Sequence, residues 1–238
     1  MDVIGSKSLH GVLFDLDGTL IDTAPDFIYC LNLLRQEYGL APLADDDIRK
    51  VVSDGARAMV SLAFNIQEGD DGFETKRQEF LSLYETHIAI ESQLFPGLGS
   101  LLADLEKANI PWGIVTNKPR WLSETLLDAL NLTERCAVLV CPEDVSQTKP
   151  DPEPMYLAAK HIAIAPEDCI YVGDHPRDID AGRNAQMYTI LAAYGYLPFA
   201  HKDDLTAWQA DCIVKSVAEL DDVIQSLVSQ TTPSNSLN

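Results

Sequence analysis

The chain is poor in basic residues. It has 17 Lys and Arg against 37 Asp and Glu among its 238 residues, which gives a formal net charge of −20 at pH 7. Such a surface repels nucleic acid phosphates and anionic membranes, so we expect neither of them as a partner. A small anionic substrate would need a local positive site or a metal ion in order to bind.

Paired cysteines and long apolar runs are also lacking. The five cysteines include no Cys-x-x-Cys pair, which favours buried thiols in a reducing compartment over disulfides or a zinc site. The N-terminus has no apolar block typical of a signal peptide, and no apolar run approaches the ~20 residues of a membrane-spanning helix. We therefore expect a cytoplasmic protein.

Short apolar runs alternate with helical patterns along most of the chain. The runs predicted as strands are 9–15, 112–116, 137–141, 169–173, 188–192 and 212–214. The helical patterns between and after them cover 98–108, 119–130, 152–162 and 216–229. Most runs are continuously apolar, as in a parallel sheet that is covered on both faces. The alternation therefore predicts an α/β fold with a doubly wound, Rossmann-like sheet.

Residues 23–91 interrupt this alternation. Their helical patterns cover 25–38, 45–64 and 73–90, without a clear strand. We predict an all-helical cap domain inserted after the first strand, with 1–22 and 92–238 forming the core. The polar tail 230–238 is expected to be disordered.

Two carboxylates, Asp15 and Asp17, follow the first predicted strand in the motif D-L-D-G-T. Open α/β sheets bind ligands at the carboxyl ends of their strands. Carboxylates this close repel each other unless a cation lies between them. The motif predicts a Mg²⁺ site with one carboxylate free as a nucleophile; the alternative is an Asp-Gly turn with solvated carboxylates.

Three further polar motifs follow later runs. Thr116 and Asn117 could bind phosphate oxygens or form a turn or helix cap. Lys149 could neutralise a carboxylate and a phosphate together, or be a solvated surface lysine. Asp174 and Asp178 could bind a cation, for which oxygen ligands favour Mg²⁺ over Zn²⁺, or cap a helix. Because all the motifs follow strands, we expect them to converge at one sheet edge.

This order of motifs resembles the haloacid dehalogenase-like hydrolase superfamily over nearly the whole chain. The helical insert resembles the cap of its phosphoglycolate phosphatase-like branch. The resemblance implies that Asp15 attacks phosphorus and forms an aspartyl-phosphate. It implies that Asp17 protonates the leaving alcohol and then activates water. Thr116 and Asn117 would hold the phosphoryl oxygens, and Lys149 would offset their charge.

The same resemblance implies a set of metal ligands. Mg²⁺ would bind the Asp15 carboxylate, the backbone carbonyl of Asp17 and Asp174. Asp178 would bind it through water or orient the other ligands. The cap would close over the cleft, exclude water and select the leaving group.

Several stretches are similar to bacterial N-acetylmuramic acid 6-phosphate phosphatases, which act in peptidoglycan recycling and are often labelled phosphoglycolate phosphatase. These stretches are 22–27, 55–60, 116–119, 149–154 and 194–196, with the later Trp208. The similarity implies a small phosphate ester that carries a carboxylate. Arg57 in the insert is the candidate for binding that carboxylate, unless it pairs with a neighbouring acid.

Three alternatives to a phosphatase of an amino-sugar phosphate stay open. The first is 2-phosphoglycolate. The second is a phosphosugar mutase of the same fold, which returns the phosphoryl group to the sugar. The third is a non-catalytic binding protein, which has no need for both a nucleophile and an acid. We expect the chain to be a monomer or a homodimer.

Overall fold

A six-stranded parallel sheet is the centre of the fold in the computed structural model, which describes residues 9–198 and 204–229. Its strands are β1 (Gly11–Phe14), β4 (Trp112–Val115), β5 (Leu139–Val140), β6 (Cys169–Gly173), β7 (Tyr188–Ala192) and β8 (Cys212–Val214). Their order is β5-β4-β1-β6-β7-β8, and every neighbouring pair is parallel. All six predicted strands are therefore present, and β1 lies in the middle of the sheet.

Helices cover both faces of this sheet. They are α5 (Leu98–Lys107), α6 (Arg120–Ala129), α7 (Glu153–His161), α8 (Pro176–Asn184) and α9 (Val217–Ser229). Val12 and Phe14 of β1 pack in one core with leucines of α5, α6 and α9. Leu13 points to the other face, because side chains alternate along a strand, and packs with α7 and α8. This two-sided core confirms the doubly wound α/β fold.

A second core lies among four helices between β1 and β4. These helices are α1 (Ala24–Glu37), α2 (Asp45–Arg49), α3 (Gly55–Phe64) and α4 (Phe73–His87). Their buried side chains form one cluster, joined from the sheet side by Leu122 and Tyr196. We call α1 to α4 the helical insert. The domain limits 23–91 stay a prediction, and the predicted disordered tail lies outside the described residues.

The helical pattern over 45–64 corresponds to two helices, α2 and α3. The chain leaves α2 after Arg49 and enters α3 at Gly55, whose φ of +83° lies in the left-handed region that glycine adopts readily. A short antiparallel pair, β2 (Ile21–Asp22) and β3 (Gln93–Leu94), was not predicted. It joins the two connections between the insert and the sheet.

The five cysteines are free, as expected from the absence of paired motifs. Burial raises the pKa of Cys30 to about 12 and that of Cys136 to about 11. The two thiols therefore stay protonated at neutral pH and are unreactive. Over the described residues, no helix is both long and apolar enough to cross a membrane.

Candidate active site

Three of the predicted motifs meet because their strands are neighbours. Asp15 follows β1, Thr116 follows β4, and Asp174 follows β6. These strands are adjacent and parallel in the order β4-β1-β6, so their carboxyl ends share one edge. Lys149 differs from the prediction, since it lies in the loop before α7 rather than at a strand end. Its long side chain carries the ammonium group to the same edge.

Lys149 is the centre of a buried network. Its ammonium donates to Asp15 Oδ1 at 2.8 Å and to Asp178 Oδ1 at 2.7 Å. It also contacts the carbonyl oxygen of Val115 and the hydroxyl of Tyr171, each at 2.9 Å. The Lys149 side chain is 0% exposed, which excludes a solvated surface lysine. Burying an ammonium this deeply requires such charged and polar partners.

Asp174 is also fully buried. Its Oδ2 accepts from the backbone N–H of Tyr196 at 2.6 Å and from the Ser53 hydroxyl at 3.3 Å. Its Oδ1 is buried and has no hydrogen-bond partner within the described residues. One carboxylate oxygen each from Asp15, Asp174 and Asp178 lies within 4.8 Å of the others. The unpartnered oxygen and the all-carboxylate donor set fit a hard divalent cation.

The pKa values of the three carboxylates are shifted in different directions. Burial, followed by the charge of Asp178, raises the pKa of Asp15. Burial and the charges of Asp15 and Asp178 raise the pKa of Asp174 well above its usual value. Burial also opposes ionisation of Asp178, but Lys149 and Arg177 outweigh it and lower that pKa. A divalent cation would stabilise the ionised forms and displace protons from the cluster.

The side chain of Asp17 lies apart from this cluster. Its Oδ1 accepts from the Thr23 hydroxyl at 2.6 Å and from the Lys118 ammonium at 3.0 Å. The three-carboxylate group does not include it. Proton transfer by this side chain and metal binding through the backbone carbonyl of Asp17 both stay predictions.

Thr116 and Asn117 form the turn after β4. The Thr116 hydroxyl accepts from the backbone N–H of Lys118 at 3.1 Å, which holds it at the sheet edge. The Asn117 amide donates to the carbonyl oxygen of Lys149 at 3.1 Å and fixes the lysine loop. Both residues line the cavity beside Asp15. The polar-turn interpretation is thus correct for their local bonds, while phosphate binding stays a prediction.

Asp178 caps α8 and belongs to the carboxylate group at the same time. Its Oδ2 accepts from the backbone N–H of His175 at 3.0 Å, as in a capping box. Its Oδ1 bonds Lys149. Asp178 therefore caps a helix and also lies in the candidate cation site, because the two oxygens of its carboxylate have different partners.

A cavity of about 420 Å³ lies between the sheet edge and the helical insert. Its core side includes Asp15 and Thr116, and its insert side includes Met59, Leu81 and Arg57. The cavity therefore has polar side chains at the sheet edge and apolar side chains on its insert side.

Arg57 reaches this cavity but is already paired. Its Nε lies 3.4 Å from Glu68 Oε1, and its side chain is 63% exposed. The pairing with a neighbouring acid is therefore present. Binding of a substrate carboxylate stays a prediction, for which the guanidinium has N–H donors besides Nε.

Sequence reasoning missed the residues that join the sheet edge to the helical insert. Lys118 lies in the stretch 116–119 named above, yet no sequence pattern indicated its bond to Asp17. Arg177 donates to the carbonyl oxygen of Ser53, and His175 Nε2 lies 3.1 Å from Asp54 Oδ1. These contacts connect residues more than 100 positions apart, so they leave no local periodicity.

Comparisons with known proteins identify the family of this chain. A family model for haloacid dehalogenase-like hydrolases matches residues 12–192, so the chain belongs to that family. An N-acetylmuramic acid 6-phosphate phosphatase of Pseudomonas putida is 47% identical over 218 residues, covering 92% of this chain and 97% of the relative. A phosphoglycolate phosphatase of Xanthomonas campestris is 42% identical over 211 residues, covering 89% and 94%. The family and these relatives identify the chain as a phosphatase.

Solved structures share the fold. A predicted phosphoglycolate phosphatase from Haemophilus somnus matches with a TM-score of 0.81 at 22% identity, covering 93% of this chain and 100% of that chain. At this level of identity the likeness concerns the architecture alone.

Proposed function

We propose that the chain is a Mg²⁺-dependent phosphomonoesterase that hydrolyses N-acetylmuramic acid 6-phosphate through an aspartyl-phosphate intermediate. The observation that carries the proposal is the buried group of Asp15, Asp174, Asp178 and Lys149 beside a cavity of about 420 Å³. This arrangement supplies a nucleophile and charge neutralisation at one end, with room for a leaving group at the other.

In the first step a carboxylate oxygen of Asp15 forms a bond to phosphorus as the ester P–O bond breaks. Asp17 donates a proton to the departing alcohol oxygen. Thr116 and the backbone of Asn117 bind the phosphoryl oxygens, and the Lys149 ammonium offsets the charge. Positioning and charge neutralisation of this kind account for most of the catalysis of phosphoryl transfer.

In the second step water attacks the phosphorus of the aspartyl-phosphate. Asp17 takes a proton from that water, the bond between Asp15 and phosphorus breaks, and inorganic phosphate leaves. Splitting the displacement in two lets one residue serve as acid and then as base. Mg²⁺, held by Asp15, Asp174 and Asp178, would supply positive charge at the phosphoryl group.

The substrate assignment depends on the relatives and on the cavity. The relatives named for N-acetylmuramic acid 6-phosphate are 46–47% identical to this chain, and those named for phosphoglycolate are 42% or less. The cavity volume of about 420 Å³ lies within the range of organic ligand sites. It has room for a substituted sugar, whereas 2-phosphoglycolate has only a two-carbon leaving group. That smaller substrate is the second candidate, because several relatives carry its name.

The test is phosphate release with Mg²⁺ from four esters compared side by side. They are N-acetylmuramic acid 6-phosphate, N-acetylglucosamine 6-phosphate, 2-phosphoglycolate and glucose 6-phosphate. We expect the highest kcat/KM for the muramate ester and no release in EDTA. A preference for 2-phosphoglycolate would instead support the second candidate function, hydrolysis of that ester. Isomerised sugar without free phosphate would indicate a mutase, and turnover unaffected by EDTA would contradict metal dependence.

A further inference from the structure

A second buried lysine, Lys118, has no part in the proposed chemistry so far. It lies two residues after Thr116, and its side chain is 4% exposed. Its ammonium donates to Asp17 Oδ1 at 3.0 Å and to the Tyr84 hydroxyl at 3.1 Å. A buried ammonium is held only where such partners compensate for the lost water. Lys118 therefore connects Asp17 directly to helix α4 of the insert.

Two aromatic rings of the insert also contact this ammonium. Phe27 of α1 and Tyr84 of α4 stack with their centroids 3.9 Å apart. The Lys118 Nζ lies 4.6 Å from each centroid, so the ammonium packs beside this stacked pair. The position of the ammonium thus depends on the packing of α1 against α4, although Lys118 belongs to the sheet side of the molecule.

Both hydrogen bonds to the Asp17 side chain end on the same oxygen. Thr23, which precedes α1, donates to Oδ1 at 2.6 Å, and Lys118 donates to it at 3.0 Å. Two donors on one oxygen fix the plane of the carboxylate and leave Oδ2 for exchanging a proton. Asp17 lines the cavity together with Lys118. The geometry therefore couples the orientation of Asp17 to the helical insert.

We propose that Lys118 is a positioning residue that orients Asp17 for proton transfer and is itself held by Phe27 and Tyr84. The inference rests on the proposed role of Asp17 in protonating the leaving alcohol. It does not depend on which phosphate ester is the substrate. It predicts that loss of the Lys118 ammonium weakens the step that needs a proton and spares a step that needs none.

The test compares two leaving groups in single turnovers with enzyme in excess. One substrate is the alkyl phosphate that the wild type cleaves fastest among the four esters above. The other is p-nitrophenyl phosphate, whose nitrophenolate leaves without a proton. For Lys118→Met we expect about 10²-fold slower alkyl ester cleavage, since general acid catalysis contributes about 10²–10⁴-fold. Nitrophenolate release should slow by no more than about threefold, with KM values close to wild type.

Three further variants make the test specific. Lys107→Met removes an exposed lysine that is 76% exposed and pairs with Asp104, so it should leave both rates unchanged. Tyr84→Phe removes the hydroxyl partner but keeps the ring, so we expect a smaller loss that is still confined to the alkyl ester. Lys118→Arg keeps the charge and should recover part of the alkyl ester rate. If Lys118→Met does not fold, these last two variants decide the outcome.

Equal losses with both leaving groups would overturn the inference, because they indicate general damage to the site. A rise in KM without a change in the single-turnover rate would also overturn it, because Lys118 would then bind substrate instead. The substrate ranking and EDTA sensitivity of the wild type test the proposed function separately. Either conclusion can therefore fail while the other stands.

Discussion

Asp15 and Asp17 are two residues apart, yet they are anchored in different parts of the molecule. Asp15 bonds Lys149, whose other partners belong to the sheet and to α8. Asp17 bonds Lys118, whose other partners belong to the helical insert. The comparison shows that the partners of Asp15 and Lys149 come from the sheet and α8, without α1 to α4. The end around Asp17 requires the sheet and the insert together.

The two ends also differ in charge. Around Lys149 lie three buried carboxylates, those of Asp15, Asp174 and Asp178. Around Lys118, Asp17 is the carboxylate that pairs with the ammonium among the described residues. The first end has an excess of negative charge and fits a cation, whereas the second forms a single ion pair. Substitutions at the two ends should therefore have different consequences, and the following predictions rank them.

The largest effect is expected for Asp15→Asn. The amide is a poor nucleophile, so phosphate release should fall by on the order of 10⁴-fold or more, as for other nucleophile deletions. The variant should fold, because it removes one of three crowded carboxylates. Phosphate release and thermal unfolding measured on the same sample check both statements. Turnover at the wild-type rate would remove Asp15 from the role of nucleophile.

Lys149→Met should combine a loss of activity with a loss of stability. It leaves Asp15 and Asp178 buried without their ammonium, and breaking a buried ion pair costs about 3–5 kcal/mol. The loss of charge stabilisation should lower kcat about 10²-fold. Denaturant unfolding and steady-state rates measure the two effects. Lys160→Met, at an exposed position on α7, is the matched control and should change stability by less than about 0.5 kcal/mol.

Mg²⁺ should stabilise the protein more at high pH than at low pH. The raised pKa of Asp174 means that the metal-free folded state keeps a proton that the unfolded chain releases. The stability from this group is present below its usual pKa of about 4 and is lost as the pH rises through the raised pKa. Mg²⁺ requires the ionised carboxylate, so it offsets that loss.

Thermal unfolding with Mg²⁺ and with EDTA at about pH 5 and about pH 8 checks this prediction. The same Mg²⁺ concentration is used at both pH values, chosen as about 100 times the Kd at the higher pH, where it adds about 2.7 kcal/mol. The increment in Tm should be smaller at the lower pH, because protons compete with the metal there and raise its Kd. Asp174→Asn should lose most of the increment at both values. An increment in the wild type that does not change with pH would contradict the assignment of Asp174 as a ligand.

The smallest effect is expected for Arg57→Met. Its guanidinium is exposed and already near Glu68, so its contribution to binding is about 1 kcal/mol or less. KM for N-acetylmuramic acid 6-phosphate should rise about fivefold, which corresponds to about 1 kcal/mol. KM for N-acetylglucosamine 6-phosphate, which lacks the carboxylate, should stay the same. Arg183→Met, at an exposed position on α8, controls for net charge, and equal changes with both sugars would exclude a carboxylate contact.

The sequence predicted the sheet well, because buried parallel strands are continuously apolar and stand out in the chain. It did not predict β2 and β3, since two-residue strands are too short to show a period. The helical pattern over 45–64 also did not show the turn between α2 and α3. Local sequence patterns therefore located the main strands and helices, but not the turn within 45–64 or the shortest strands.

The site could be predicted where strand ends supply its residues. Asp15, Thr116 and Asp174 share one sheet edge because each follows a parallel strand, which the alternation of strands and helices indicates. The contacts of the Lys118 ammonium could not be predicted in this way. Its partners Phe27 and Tyr84 lie on two helices of the insert, and only the packing of those helices brings them to the lysine. The interaction between insert and sheet is therefore the part that required the structure.

The central position of β1 has a consequence for the synthesis of the chain. Val12 pairs with Trp112 on one side and with Ile170 on the other, so β1 is translated before both of the strands that pair with it. Translation adds roughly 5–20 residues per second, which leaves β1 unpaired for on the order of ten seconds. The helices of the insert contact one another over shorter separations and can form during this interval. A nascent chain therefore has no complete carboxylate group until β6 and the first turn of α8 have been made.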